Sequence, residues 1–347
     1  MEINRIVACV CENGEISLIQ EPIPELKTGW VLVRSHASLV SPGTELGGWR
    51  NLFSKRGAHS NPDPRKFGYS SAGVIEALGE GVTQFQVGER VACIGYGFAL
   101  HSDYAVVPQN LCVHLPDLVS FEQGSYSMLL ATALQAVRRA NPEIGERAAV
   151  VGMGLVGQLS AQLLQLSGVS VIGWARNGMQ VDVANAWGVD RVLNMKTQDS
   201  VDLTCGFTKG QGLDMSVFAF PGSAGDTWQK NCDCMQKSPD GHLMGRVVVV
   251  GGSSICLKWI PANIDIRIAA RTGPGYHDDD WETGRDYPSV FMRWTTRTNL
   301  EVCMDLIARG KINLDVLTTH RAQLMNATSS INEIRDPDSI LGLVFVS

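Results

Sequence analysis

The sequence predicts an α/β protein built as a β-rich first unit followed by a doubly wound parallel sheet covered by helices. Three observations predict it. Short strand-like runs punctuated by Gly, Pro and Asn fill the first third of the chain. From about residue 147, apolar strands alternate with helical patterns, as in a parallel sheet buried on both faces. One of those strands, Ala148-Ala149-Val150-Val151, runs directly into the turn Gly152-Met153-Gly154-Leu155-Val156-Gly157.

In the first unit, Arg5–Cys11, Trp30–Ala37, Ala72–Leu78 and Arg90–Ile94 read as strands, and Gly88-Glu89-Arg90-Val91 reads as a tight turn entering the last of them. A long loop, Ser41–Phe67, carries Trp49, Pro62 and Pro64; loops of that length in compact domains are often functional. Residues Gly124–Ala140 are apolar at helical spacing. The alternation then runs Arg147–Val151, Leu155–Leu166, Ser170–Trp174, Val181–Trp187, Met215–Phe220 and Arg246–Val250. Beyond about residue 270 the chain turns aromatic and charged, with a helix over Thr298–Ala308. It closes on the apolar run Leu341–Val346, expected as an edge or closing strand that returns to the first unit. The expected division is therefore 1–122, 123–275, and a return segment 276–347.

Composition excludes several classes. The chain has 347 residues, 44% hydrophobic and 18% charged, with a formal net charge of -6. It shows no clustered Lys and Arg, so no nucleic-acid partner is expected. No apolar stretch reaches membrane-spanning length, and the N-terminal segment with Glu2 and Arg5 does not read as a signal peptide. The nine cysteines are odd in number and scattered, which argues against a disulfide scaffold and for a cytoplasmic, reducing setting.

The glycine turn carries the first chemical reading. Gly152 permits a tight turn, Gly154 lets backbone approach a pyrophosphate, and Gly157 permits close packing of helix on strand. The helix N-terminus then faces the phosphates. The alternative is a Gly-rich turn in a cofactor-free α/β domain. The next strand ends in Gly173-Trp174-Ala175-Arg176-Asn177. An NAD site usually places Asp or Glu there for the ribose 2′-hydroxyl, yet no acid occurs before Asp182. Arg176 instead suits a 2′-phosphate, so NADP(H) is expected, with NAD(H) as the alternative. The bland reading of Arg176 is a solvated surface side chain. Met153, Leu155 and Val156 join the three glycines and Arg176 as candidate cofactor contacts.

The chain resembles the medium-chain dehydrogenase/reductase family over nearly its whole length. The resemblance rests on Gly43-Thr44-Glu45, Gly68-Tyr69 with Ser71-Ala72-Gly73-Val74, Val87–Val91, Thr132–Ala136, the glycine turn, and Arg246–Gly251. It implies a GroES-like β-rich domain followed by a Rossmann domain, with the C-terminus returning to the first, and a homodimer. It adds Gly251 to the candidate cofactor contacts. It also exposes departures. Where zinc-dependent members place a Cys, a Gly-His-Glu segment and a third ligand, this chain has Pro42, Gly68-Tyr69-Ser70 and Ser127. None of Pro42, Tyr69 or Ser127 suits zinc. The family's structural-zinc cysteines are also missing; Cys93 and Cys112 do not replace them, and Cys232-Asp233-Cys234 reads as exposed or helical thiols. The form Ser41-Pro42-Gly43-Thr44-Glu45 resembles a zinc-lacking branch that includes sugar, cyclitol and bacteriochlorophyll-pathway dehydrogenases. Tyr287-Pro288, Arg293-Trp294 and Thr319-His320 resemble its sugar-linked members.

Without a metal, side chains must handle the proton and polarise the reacting oxygen. Tyr69 takes the place of a ligand, so it is a candidate donor, with a hydrophobic plug as the alternative. The resemblance puts Thr44 at the family's relay hydroxyl and Glu45 near the cofactor ribose and metal site, as a member of a proton relay or as an anchor for Arg or backbone groups. His101, after Gly95-Tyr96-Gly97, is a candidate acid–base group or a structural histidine. Trp49 and Tyr96 are candidates for a wall against a ring-shaped substrate, with ordinary core or loop packing as the alternative for both. His277, Arg293 and Trp294 lie in a stretch able to hydrogen-bond a polar small molecule. The acidic run Asp278-Asp279-Asp280 reads as a solvated loop. The favoured function is zinc-independent, NADP(H)-preferring hydride transfer to or from an alcohol or ketone. Reduction of a conjugated C=C bond, as in quinone or enone reductases, is the alternative; a non-catalytic dinucleotide-binding protein is the third reading.

Overall fold

The computed structural model describes residues 4–11, 13–45, 54, 64–256, 262–332, 334 and 336–347. Trp49 lies outside the described residues. The chain divides into two compact units, Met1–Ala131 with Thr272–Ser347, and Thr132–Arg271. The first division falls inside the helix Ser127–Ala140 rather than ahead of it, because that helix starts on the first unit's sheet: the Met128 N–H donates to Ser70 Oγ. The second falls before Thr272, whose carbonyl accepts from Asn299 Nδ2 at 2.7 Å and whose hydroxyl meets Thr296 Oγ1 at 2.9 Å.

Strands are numbered along the chain. The first unit holds β1 (Asn4–Val10), β2 (Ile16–Pro22), β3 (Trp30–Val40), β4 (Arg65–Lys66), β5 (Ser70–Leu78), β6 (Arg90–Ile94), β7 (Tyr104–Pro108) and β8 (Cys112–His114). The return segment adds β17 (Thr318–Gln323) and β18 (Gly342–Val346). They form a sheet in the order β17-β18-β3-β5-β6-β8, with β7 also on β3, and a smaller sheet β2-β1-β4. On β3, Val31 and Val33 point inward while Arg34 is exposed, the period-two pattern of a half-buried strand. A register shift between Ser35 and Ala37 brings β5 close, and a Cβ at Gly73 would collide with the Arg34 carbonyl. The terminal apolar run is not an edge: β18 lies between β17 and β3, which explains why Gly342–Phe345 are all buried.

The second unit is a six-stranded parallel sheet, β11-β10-β9-β12-β14-β16. Its strands are β9 (Arg147–Val151), β10 (Ser170–Ala175), β11 (Arg191–Asn194), β12 (Met215–Phe218), β14 (Leu243–Val250) and β16 (Ala262–Ala269); two short strands, β13 (Gly222–Ser223) and β15 (Ser253–Ser254), pair with each other. Ala148–Val150 are fully buried, as expected of a central parallel strand. Helices Leu155–Leu166, Gly178–Trp187, Ser200–Phe207 and Gly225–Cys234 connect them. Asn177 and Asp199 cap two of these through their side chains, and Gly188 ends one in the left-handed conformation, φ 91°. On one side of the sheet, Trp174, Phe218 and Trp228 pack together.

Candidate active site

The strand order reverses at β9: β10 lies on one side and β12 on the other. Ligands of open α/β sheets bind outside the carboxyl ends of the strands at such a point. There the glycine turn sits. Gly152 has φ 94°, a conformation that strains any other residue. A Cβ at Gly157 would run into the Gly152 carbonyl, so only glycine lets the helix lie this close to the turn. Gly154 is the N-cap of Leu155–Leu166 and offers no side-chain cap, and a Cβ there would meet nothing within 4 Å. The helix's first-turn N–H groups are therefore left for an external acceptor, at the positive end of a twelve-residue dipole. That is a fit for a diphosphate. Met153 departs from its expected role in one respect. Its side chain is fully buried against Gly173, so only its backbone is presented. Leu155 is buried and Val156 partly so. Gly251, at φ 81°, is exposed just past β14.

Arg176 follows β10 and is exposed. Its guanidinium makes no ion pair with a described residue, while its backbone N–H donates to Gln180 Oε1 at 2.9 Å. A free guanidinium beside this turn suits a phosphate monoester.

In the first unit, four expected residues converge. Glu45 is buried and closes the turn after β3, accepting from the Ser41 N–H at 2.7 Å. Its Oε1 stands 3.2 Å from His101 Nε2, in ion-pair range but off line for a hydrogen bond. His101 is fully enclosed, edge-on to Phe67 and Phe345, with Nδ1 2.8 Å from Ser38 Oγ. An enclosed ring cannot reach a substrate, so the acid–base role expected of His101 gives way to positioning Glu45. Gly68, φ 124°, lies so close to the His101 backbone that a Cβ would collide with its nitrogen, which sets where Tyr69 begins. Tyr69 is buried, and its phenol lies beside the side chains of Ser41 and Thr44. Burial, and then the nearby Glu45 carboxylate, push the phenol well above its ordinary range. It stays protonated and able to donate.

The candidate substrate residues converge only in part. Tyr96 is exposed, and its N–H donates to the Tyr276 hydroxyl at 2.8 Å. The Tyr276 ring stacks on His277 at 4.0 Å and adds to the upward push on Tyr69. Sequence reasoning missed Tyr276; its one signal was a position just after Gly273-Pro274-Gly275. Arg293 lies over its neighbour Trp294 at 4.5 Å. The acidic run faces solvent at Asp279 and Asp280, as expected, but forms a helical turn and not a loop: Asp278 caps Asp279–Glu282 and accepts from Tyr287 Oη at 2.5 Å, and Asp280 pairs with Arg285 at 3.1 Å.

At the positions where the family's zinc ligands stand, Pro42 is half-buried, Tyr69 is engaged as above, and Ser127 Oγ lies 3.4 Å from Ser70 Oγ. Cys93 and Cys112 face each other across β6 and β8, Sγ to Sγ 3.6 Å. Cys232 and Cys234 are buried rather than exposed, and burial pushes their thiols up to about 11 and about 12. Among the described residues no three His, Cys, Asp or Glu side chains are grouped to hold a metal ion, and no helix is long and apolar enough to cross a membrane.

Residues 27–117 match the alcohol dehydrogenase GroES-like domain. A quinone oxidoreductase of Salmonella typhimurium is 26% identical over 288 residues, 80% of this chain and 81% of that protein. A sorbitol dehydrogenase of Gallus gallus is 26% identical over 367 residues, 96% and 94% of the two chains. Among solved structures, a putative zinc-binding dehydrogenase from Sinorhizobium meliloti bound to NADP superposes with a TM-score of 0.76 at 17% identity, covering 100% of both chains. A short chain alcohol dehydrogenase from E. coli CFT073 complexed with NADH gives 0.74 at 19% identity, covering 99% of each. With the two-unit fold and the glycine turn, the domain match and these relatives support an NAD(P)-dependent oxidoreductase of the medium-chain dehydrogenase/reductase family.

Proposed function

We propose that the protein is a zinc-independent, NADP(H)-preferring oxidoreductase that moves hydride between the nicotinamide and the oxygen-bearing carbon of an alcohol or ketone. The observation that carries this reading is Tyr69: a buried, protonated phenol beside Ser41 and Thr44 at a position where zinc-dependent relatives carry a metal ligand. The bound nicotinamide supplies or accepts the hydride. Tyr69 donates a hydrogen bond to the reacting oxygen and, in the reductive direction, passes its proton there. Thr44 and Ser41 orient the phenol. Glu45, anchored on the Ser41 N–H and 3.2 Å from His101, sets its carboxyl group beside the phenol. The open turn at Gly154 takes the diphosphate, and Arg176 pairs with the 2′-phosphate.

A polar, sugar-like substrate is favoured by the hydrogen-bonding groups of the 277–294 stretch and by the resemblance to the sorbitol dehydrogenase. A homodimer is favoured by β16, which ends the six-stranded sheet and exposes Ile266 and Ile268. The free cysteines favour a cytoplasmic setting.

The second reading, reduction of a conjugated C=C bond, is kept by the likeness to a quinone oxidoreductase. An α,β-unsaturated ketone offered with NADPH separates the readings. An allylic alcohol as product supports the proposal, a saturated ketone supports the second reading, and cofactor binding with no turnover of any carbonyl or alcohol supports a non-catalytic protein.

A further inference from the structure

The helix that follows the glycine turn buries three polar side chains, Gln158, Ser160 and Gln162, and the amide of Gln158 is fully enclosed. Its Nε2 donates to the Met153 carbonyl at 3.2 Å and to the Gln180 carbonyl at 3.0 Å. Its Oε1 accepts from the indole N–H of Trp187 at 2.6 Å. An indole only donates, so the amide has one satisfactory orientation, with both protons on the two carbonyls. Gln180 in turn accepts the Arg176 N–H on its side-chain oxygen and donates its own N–H to Asn177 Oδ1 at 3.0 Å. One continuous set of hydrogen bonds thus runs from the diphosphate turn, at Met153, to the backbone of Arg176.

We infer that Gln158 and Gln180 are specificity-positioning residues: they brace the Arg176 turn against the diphosphate turn, and so set how well the cofactor's 2′-phosphate is recognised. This rests on the proposed pairing of Arg176 with that phosphate. The physical reason is that a guanidinium on an exposed turn recognises a phosphate tightly only if its backbone is fixed beforehand. Neither glutamine touches the phosphate; each acts through the main chain of residue 176 or 153. Because the amide is buried, losing it leaves two carbonyls and one indole N–H without their partner.

The test is titration of the intact protein with NADPH and NADH, for the wild type and for Arg176→Ala, Gln180→Ala and Gln158→Met. Gln180→Ala, at a half-buried position, is expected to lower the NADPH-to-NADH affinity ratio roughly three- to tenfold, the loss of one positioning hydrogen bond. In the Arg176→Ala background the same change is expected to leave the ratio where Arg176→Ala put it. Gln158→Met is expected to weaken both cofactors and to lower the ratio as well. Gln158→Glu guards against simple misfolding: its carboxylate would face two carbonyls, so NADPH affinity is expected to recover as pH falls and the carboxyl protonates. If Arg176→Ala leaves the ratio unchanged, the 2′-phosphate reading itself fails. If Arg176→Ala lowers the ratio but Gln180→Ala does not, the brace is wrong and that reading stands.

Discussion

Glu45 Oε1 stands 3.2 Å from Nε2 of the fully enclosed His101, and the same carboxylate accepts the Ser41 N–H through its other oxygen. One buried acid therefore joins the turn after β3 to the segment that carries His101. Removing the His101 ring leaves Ser38 Oγ without its buried partner and opens a hole beside Phe67 and Phe345, at a cost of about 3 kcal/mol. His101→Ala is expected to lower stability in urea by that order and to slow turnover. His101→Gln, which keeps a polar group beside Ser38 and Glu45, is expected to recover part of both. A His101→Ala protein as stable and as active as the wild type would remove His101 from the account.

Tyr69→Phe keeps the ring and deletes the donor. Turnover in the reductive direction is expected to fall about a hundredfold or more, with little change in cofactor affinity. Because burial holds the phenol above its ordinary range, Tyr69 is not expected to titrate in the pH–rate profile of the reduction below about pH 10. A Tyr69→Phe enzyme with unchanged kcat would assign the residue to packing.

Arg176→Ala is expected to weaken NADPH about tenfold or more and to leave NADH nearly unchanged, since a charge-assisted pair is lost only with the phosphorylated ribose. Fluorescence titration of the two cofactors reads this directly. Equal losses for both would point to a disturbed turn instead of a lost phosphate contact.

A methyl at Gly157 has nowhere to go but the Gly152 carbonyl. Gly157→Ala is expected to cost about 1–3 kcal/mol of stability and to weaken both cofactors together. Gly154→Ala, where a Cβ meets nothing, is expected to keep stability while weakening the diphosphate contact. Urea unfolding and the same titrations separate the two glycines.

Tyr126 gives a pH test independent of catalysis. It is buried, its hydroxyl lies 2.7 Å from Thr318 Oγ1, and burial raises its phenol from the ordinary value of 10. The unfolded chain ionises first, so the contribution is fully present below about pH 10 and is lost as pH rises toward the folded value. Stability is expected to fall more steeply above about pH 10 in the wild type than in Tyr126→Phe. Matching slopes would contradict it.

The sequence made the second unit legible because its chemistry is local. Gly152, Gly154 and Gly157 act within one turn, and Arg176 is read from the end of the adjacent strand. In the first unit the residue types were legible and their arrangement was not. Glu45 and His101 are far apart in sequence, and their contact depends on how β3 and the segment after β6 are brought together. Nothing local says that the His101 ring is enclosed by Phe67 and Phe345. Tyr276 was missed for the same reason: its contact with Tyr96 arises only when the return segment is in place. Gln158 had a readable signal, a polar residue on the buried side of an apolar helix, but its partners lie on two other segments.

The central claim is hydride transfer without a metal, and the most direct measurement is NADPH oxidation by a ketone after exhaustive chelation, with zinc added back. Full activity after chelation, no gain on adding zinc, and loss of turnover in Tyr69→Phe are expected. Activity that disappears with the chelator and returns with zinc would contradict the account.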